Sequence, residues 1–113
     1  AYLQKVILRD PTALPVDQVI RMATANGAKA LGFDNAGEIK EGMAADITIM
    51  DMEKPQYYPK YNPKFALVYS GNSGDVETVI IDGRIVMEKG EILTIDEERI
   101  MYEVQQIAED LVR

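Results

Sequence analysis

Residues 79 to 87 read Val-Ile-Ile-Asp-Gly-Arg-Ile-Val-Met, two apolar runs joined only by Asp82-Gly83. A two-residue Asp-Gly connection tolerates left-handed backbone at both positions, and its twist suits paired antiparallel strands. The run therefore predicts a β-hairpin. Lys89-Gly90 turns the chain again into Glu91-Ile-Leu-Thr94, so residues 76–94 are expected to form a three-stranded antiparallel meander.

The N-terminal third has the other period. Leu3, Val6 and Ile7 lie three and four apart, as on one helical face, and Asp10-Pro11 stops that helix. A second helix is expected from Pro15 to Leu31. Val16, Val19, Ile20, Ala23, Ala30 and Leu31 form its stripe, with Asp17 at its positive end. Gly27 falls on that stripe, where its use is close approach of another backbone, and Gly32 is placed as a left-handed cap. From Gly37 the pattern alternates: a short strand, a turn at Gly42, then a strand opened by Asp46, with Ile47 and Ile49 on one face.

Lys54 to Lys64 holds three prolines and three tyrosines, which predicts a loop. Phe65 to Tyr69 reads as a short apolar strand, and Gly71-Asn-Ser-Gly74 as a turn. Asp96 is placed to cap a last helix, with Ile100, Val104, Ile107, Ala108 and Leu111 as its stripe. The fold class is α+β. The segments are 1–32 (helices), 33–94 (strands, with loop 54–64 and meander 76–94) and 95–113 (an amphipathic helix).

The 113 residues include no His and no Cys, which excludes a histidine metal site, a Ser-His-Asp triad and any disulfide. A net charge of −7 without a Lys/Arg cluster speaks against nucleic acid and acidic membrane partners. No run is long and apolar enough for a membrane span, and no leader pattern opens the chain. A cytoplasmic location is the expectation. Tyr2 to Leu8 already read as mid-helix, so a chain cut from something longer is expected.

Each candidate for chemistry has a structural counterpart. Asp46 alone cannot hold a catalytic metal, which needs several converging ligands. Its expected role is to accept backbone N–H bonds in the Gly42–Ala45 turn. Asp82 belongs to its hairpin turn. Asp96, Glu97 and Glu98 sit where a helix dipole favours negative charge. The Gly71–Gly74 loop runs into Asp75 and a strand, not into a helix, which opposes phosphate binding. Tyr57, Tyr58 and Tyr61 could stack on a planar ligand, but pinning the loop on the core is the expectation. No catalytic, metal-binding or cofactor-binding residue is assigned, and substrate contacts are not assignable.

Five stretches carry a family resemblance. They are Met22-Ala-Thr-Ala-Asn-Gly-Ala-Lys-Ala-Leu-Gly32, Gly37-Glu-Ile-Lys-Glu-Gly-Met-Ala-Ala-Asp46, Leu67-Val-Tyr-Ser70, Asp75-Val-Glu-Thr-Val-Ile-Ile-Asp-Gly-Arg84 and Thr94-Ile-Asp-Glu-Glu98. Together they resemble the C-terminal end of an amidohydrolase-superfamily enzyme. They are most similar to the 5-methylthioadenosine/S-adenosylhomocysteine deaminase and chlorohydrolase group.

The resemblance implies a parent enzyme with a (β/α)8 barrel and a small β-sandwich built from both chain ends. Residues 1–32 would be the last barrel helices, 33–94 the C-terminal share of the sandwich, and 95–113 an outer helix. It also implies a divalent metal, zinc or similar, that activates water for deamination. The family's ligands match no position here. Gly37, Gly42, Asp46, Asp82 and Gly83 are then a structural signature. The loop at Tyr57–Pro63, where relatives often carry a histidine, has none. The implied partner is the rest of the parent chain, with self-association through uncovered faces. Other readings are a chlorohydrolase or guanine-type deaminase fragment, or a free-standing binding or assembly module.

Overall fold

The computed structural model describes residues 1–112, and it is a mixed helix and strand structure. Five helices are present: α1 (Tyr2–Leu8), α2 (Val16–Ala23), α3 (Ala25–Ala30), α4 (Pro63–Ser70) and α5 (Glu97–Leu111). Four strands, β1 (Ile47–Met50), β2 (Val76–Ile81), β3 (Arg84–Glu88) and β4 (Glu91–Ile92), form one antiparallel sheet in the order β1-β2-β3-β4. The expected meander is there, and β1 extends it on the β2 side. Asp82 and Gly83 both have positive φ, 49° and 75°, as their two-residue turn demands.

Three expectations fail for local reasons. Phe65–Tyr69 is helix, not strand. Asn62 caps α4 by accepting from the Lys64 and Phe65 N–H groups at 3.0 and 3.4 Å, and Pro63 takes the first helical position. That Asn-Pro start decides the conformation of an apolar run too short to show a period. The expected helix 15–31 is broken at Thr24 (φ −119°, ψ −100°), whose hydroxyl donates back to the Ile20 carbonyl at 2.8 Å. Gly27 does serve close approach there, since a Cβ would stand 3.1 Å from the Met22 carbonyl oxygen. Residues 37–40 form no strand. In β1 a register shift between Ile49 and Met50 interrupts the alternation, leaving Ile49 exposed and Met50 half-buried.

The helices and the sheet cover each other poorly. α2 packs on α3 and α4, and α4 on the 3₁₀ turn Pro55–Tyr57. Among the described residues, only Val16 and Tyr57 form a buried apolar core. The radius of gyration is 18.2 Å, against about 13 Å for a compact chain of this length. Leu3, Val6 and Ile7 of α1 are 69, 72 and 61% exposed, and the α5 stripe Ile100, Val104, Ile107 and Leu111 is also open. These faces are amphipathic without a partner.

Gly37 holds the loop after α3 against the start of that helix. Its φ is 87°, and a Cβ would lie 2.8 Å from the Ala25 Cα. Gly42 has a similar φ of 83° but open space around it. Gly42→Ala should therefore cost about 1 kcal/mol of backbone strain alone, and Gly37→Ala distinctly more. Thermal unfolding of the full-length chain checks this; equal losses would mean that the loop does not keep its close approach.

Candidate functional site

The Asp46 carboxylate lies at the foot of β1, exposed to solvent. Its Oδ1 accepts the Asp82 backbone N–H at 2.8 Å, and the Gly83 N–H donates to the Ala45 carbonyl at 3.1 Å. Asp46 thus fastens the hairpin turn, thirty-six residues along the chain. The expected partners in the Gly42–Ala45 turn are not the ones its side chain engages. That turn is held instead by Met43 N–H to Lys40 O and Ala44 N–H to Asn35 O. The signature residues Asp46, Asp82 and Gly83 are brought together, whereas Gly37 and Gly42 serve the preceding loop. Asp46 and Gly37 also line a groove of about 680 Å³ between α2–α3 and β1, with Leu31, Phe33, Ile39 and Ile47.

The most developed polar constellation lies elsewhere, at Asp75. It is 2% exposed and is the only buried charged residue among those described. It sits in the 3₁₀ turn Ser73–Asp75, where Asn72 and Asp75 form a capping box. The Asn72 N–H donates to Oδ2 at 3.0 Å. Three side chains of the proline-tyrosine loop converge on the same carboxylate. Lys54 Nζ donates to Oδ1 at 2.8 Å, Gln56 Nε2 reaches both oxygens at 3.2 and 3.4 Å, and the Tyr57 hydroxyl donates to Oδ2. No buried side-chain polar atom among the described residues is left without a partner.

Sequence reading passed over Asp75. Its signal was slight: a carboxylate directly after a Gly/Asn/Ser turn, with Lys, Gln and Tyr clustered in the preceding loop. Of the three loop tyrosines, Tyr57 is pinned inside. Tyr58 donates to Glu53, and Tyr61 is 90% exposed. Asp96 caps α5 by accepting the Arg99 N–H at 3.0 Å, with Glu97 and Glu98 in its first turn.

This donor set fixes the electrostatics. Hydrogen bonding to Lys54, then to Tyr57, holds the Asp75 carboxyl well below the usual carboxylate range despite the opposing effect of burial. The same bond, with burial, pushes the Tyr57 hydroxyl up to about 12. The arrangement does not fit a metal ion. An ammonium, an amide N–H pair and a hydroxyl already occupy the carboxylate, and no three potential ligands converge among the described residues. Nor does it offer a general base, because a carboxylate so stabilised is a poor proton acceptor near neutral pH.

The described residues thus form a mixed helix and strand body, poor in core and held by polar clasps. The chain belongs to the amidohydrolase family, whose model matches residues 1–86. It is 50% identical over its whole length to a 5-methylthioadenosine/S-adenosylhomocysteine deaminase of Dictyoglomus thermophilum, covering 26% of that protein. It is 46% identical to a 5′-deoxyadenosine deaminase of Methanosarcina mazei over 99% of the chain and 26% of that protein. The chain thus spans about a quarter of the length of these relatives.

Among solved structures, a zinc-bound adenosine deaminase from Xanthomonas campestris matches 96% of the chain and 25% of its own, with TM-score 0.90 and 28% identity. The zinc-complexed atrazine chlorohydrolase of Arthrobacter aurescens TC1 matches 82% of the chain and 20% of its own, with TM-score 0.75 and 28% identity. No helix among the described residues is long and apolar enough to cross a membrane.

The two pKa shifts bracket stability from both sides. Asp75 is depressed in the folded state, so its contribution is present above its ordinary 3.8 and is lost as pH falls below that value. Tyr57 is raised, so its contribution is present below its ordinary 10 and is lost as pH climbs toward 12. A tyrosinate absorbance titration of the full-length chain should show a late-titrating hydroxyl that Tyr57→Phe removes. In thermal melts against pH, Asp75→Asn should flatten the acid limb. An unchanged titration in the Phe variant would contradict the assigned bond.

Proposed function

We propose that these residues form the C-terminal structural part of a cytoplasmic, metal-dependent hydrolytic deaminase acting on adenine-type nucleosides. The observation that carries this reading is the 50% identity across the entire chain to a 5-methylthioadenosine/S-adenosylhomocysteine deaminase. In the reaction, water adds at the ring carbon bearing the amino group. The C–N bond then breaks, ammonia departs and the ring keeps a carbonyl. In this reading the residues present serve as scaffold, and among the described residues no three potential metal ligands converge. In this reading α1–α3 are the last barrel helices and residues 33–94 are the C-terminal share of a composite sandwich. Residues 95–113 form the outer helix, of which Arg113 lies outside the described residues.

The open faces support the same reading. Leu3, Val6 and Ile7, the α5 stripe, and Ile49, Ile81 and Ile85 on the sheet are exposed together. An apolar area this divided calls for a large partner that reaches several sides at once. The remaining three quarters of a chain like its relatives is such a partner. A deaminase is favoured over a chlorohydrolase because the adenosine deaminase structure superposes on more of the chain, 96% against 82%, and at higher TM-score.

Three measurements test this. The full-length enzyme should release ammonia from 5-methylthioadenosine or S-adenosylhomocysteine, whereas the isolated 113-residue chain should release none and bind no stoichiometric zinc by elemental analysis. Zinc held one-to-one by the isolated chain would overturn the assignment of its residues to scaffold. In light scattering the isolated chain should also self-associate through its uncovered faces, and a monodisperse monomer would contradict their being interior surfaces.

A further inference from the structure

The Asp75 constellation joins the two segments that flank α4. On one side is the strap of residues 51–62, which leaves β1, passes through the 3₁₀ turn Pro55–Tyr57 and delivers the chain to α4. On the other is the turn Asn72–Asp75, which delivers the chain from α4 into β2. All the side-chain donors to the carboxylate come from the strap: Lys54, Gln56 and Tyr57. Lys54 also donates to the Gly74 carbonyl at 2.9 Å, and the Asp51 N–H to the Asp75 carbonyl at 2.7 Å. The segments before and after α4 are thus tied together chiefly through the Asp75 carboxylate, with these two bonds to backbone carbonyls beside it.

Little else holds the strap down. Tyr57 is its one buried apolar residue, and its ring is anchored by the hydroxyl that Asp75 accepts. Beyond it, the side chains of Tyr58, Lys60 and Glu53 bond to one another, all at exposed positions. Lys64, at the start of α4, pairs with Asp17 of α2 on the surface, a contact of small worth. The sheet, by contrast, is held by its own ladder from β1 to β4. Local opening is expected where buried contacts are few and one polar anchor carries the attachment.

We propose that Asp75 is a latch: its carboxylate closes the 51–62 strap over the end of the sheet and so fixes where α4 stands, and without it the strap opens as a local unit while the sheet stays folded. A latch differs from an ordinary core contact in that its loss is confined to one segment.

Hydrogen exchange on the full-length enzyme tests this, comparing the wild type with Asp75→Asn and Tyr57→Phe. Asp75→Asn leaves an amide that cannot accept four donors as the carboxylate does. It should speed exchange of amides 53–61 and 72–75 by about tenfold or more, with amides of 76–88 unchanged. Tyr57→Phe, which keeps the carboxylate and the ring, should speed the same amides by a smaller factor. It serves as the test should the Asn variant fail to fold. Exchange that rises equally in β2 and β3 would overturn the latch in favour of a general stabilising role. Exchange that rises nowhere in the strap would overturn it outright.

Discussion

What this chain lacks governs how it is built. A domain of about this size normally encloses one core, yet here the helices and the sheet bury only Val16 and Tyr57 among the described residues. Helices α1 and α5 keep the sequence period of buried faces while those faces stand open. Apolar burial is the main favourable term in folding, and among the described residues little of it is achieved. The chain's membership of the amidohydrolase family, and its span of about a quarter of its relatives, give that shape its physical sense.

Where the core is thin, polar clasps take over the work of defining geometry. Asp46 spans from the foot of β1 to the Asp82–Gly83 turn, and Asp75 gathers Lys54, Gln56 and Tyr57. The two differ in kind. Asp46 is exposed and makes one bond to a backbone N–H, so it sets the position of a turn whose conformation Asp82 and Gly83 already favour. Asp75 is buried, and a buried carboxylate is tolerated only when its lone pairs are met by donors, one of them charged. The strap therefore cannot leave without exposing or stranding a charge. That penalty makes the clasp directional in a way that apolar contact is not.

The fold was legible in the sequence where local chemistry and period agreed. The hairpin at Asp82-Gly83, the second turn at Lys89-Gly90, the Gly32 cap and the Asp96 cap all stand as read, because each depends on neighbours in the chain. Phe65–Tyr69 was misread because an apolar run without period favours neither helix nor strand, and the deciding residue, Asn62, lies before it. Thr24 breaks the helix through a hydroxyl whose choice of acceptor no spacing reveals. Asp75 was invisible for a deeper reason. Its donors lie eighteen to twenty-one residues earlier, so only the folded path of the chain makes them a set.

The separation of fold signature from chemistry follows from the same facts. In this chain the glycines at 37 and 42 and the Asp46–Asp82 clasp answer to backbone geometry, and one scaffold can serve different reactions. Such a signature can therefore identify a family in a chain with no histidine at all. A deaminase and a chlorohydrolase both superpose on this one, at the same 28% identity. The fold therefore speaks to the family, and the reaction has to be argued from a site rather than from the scaffold.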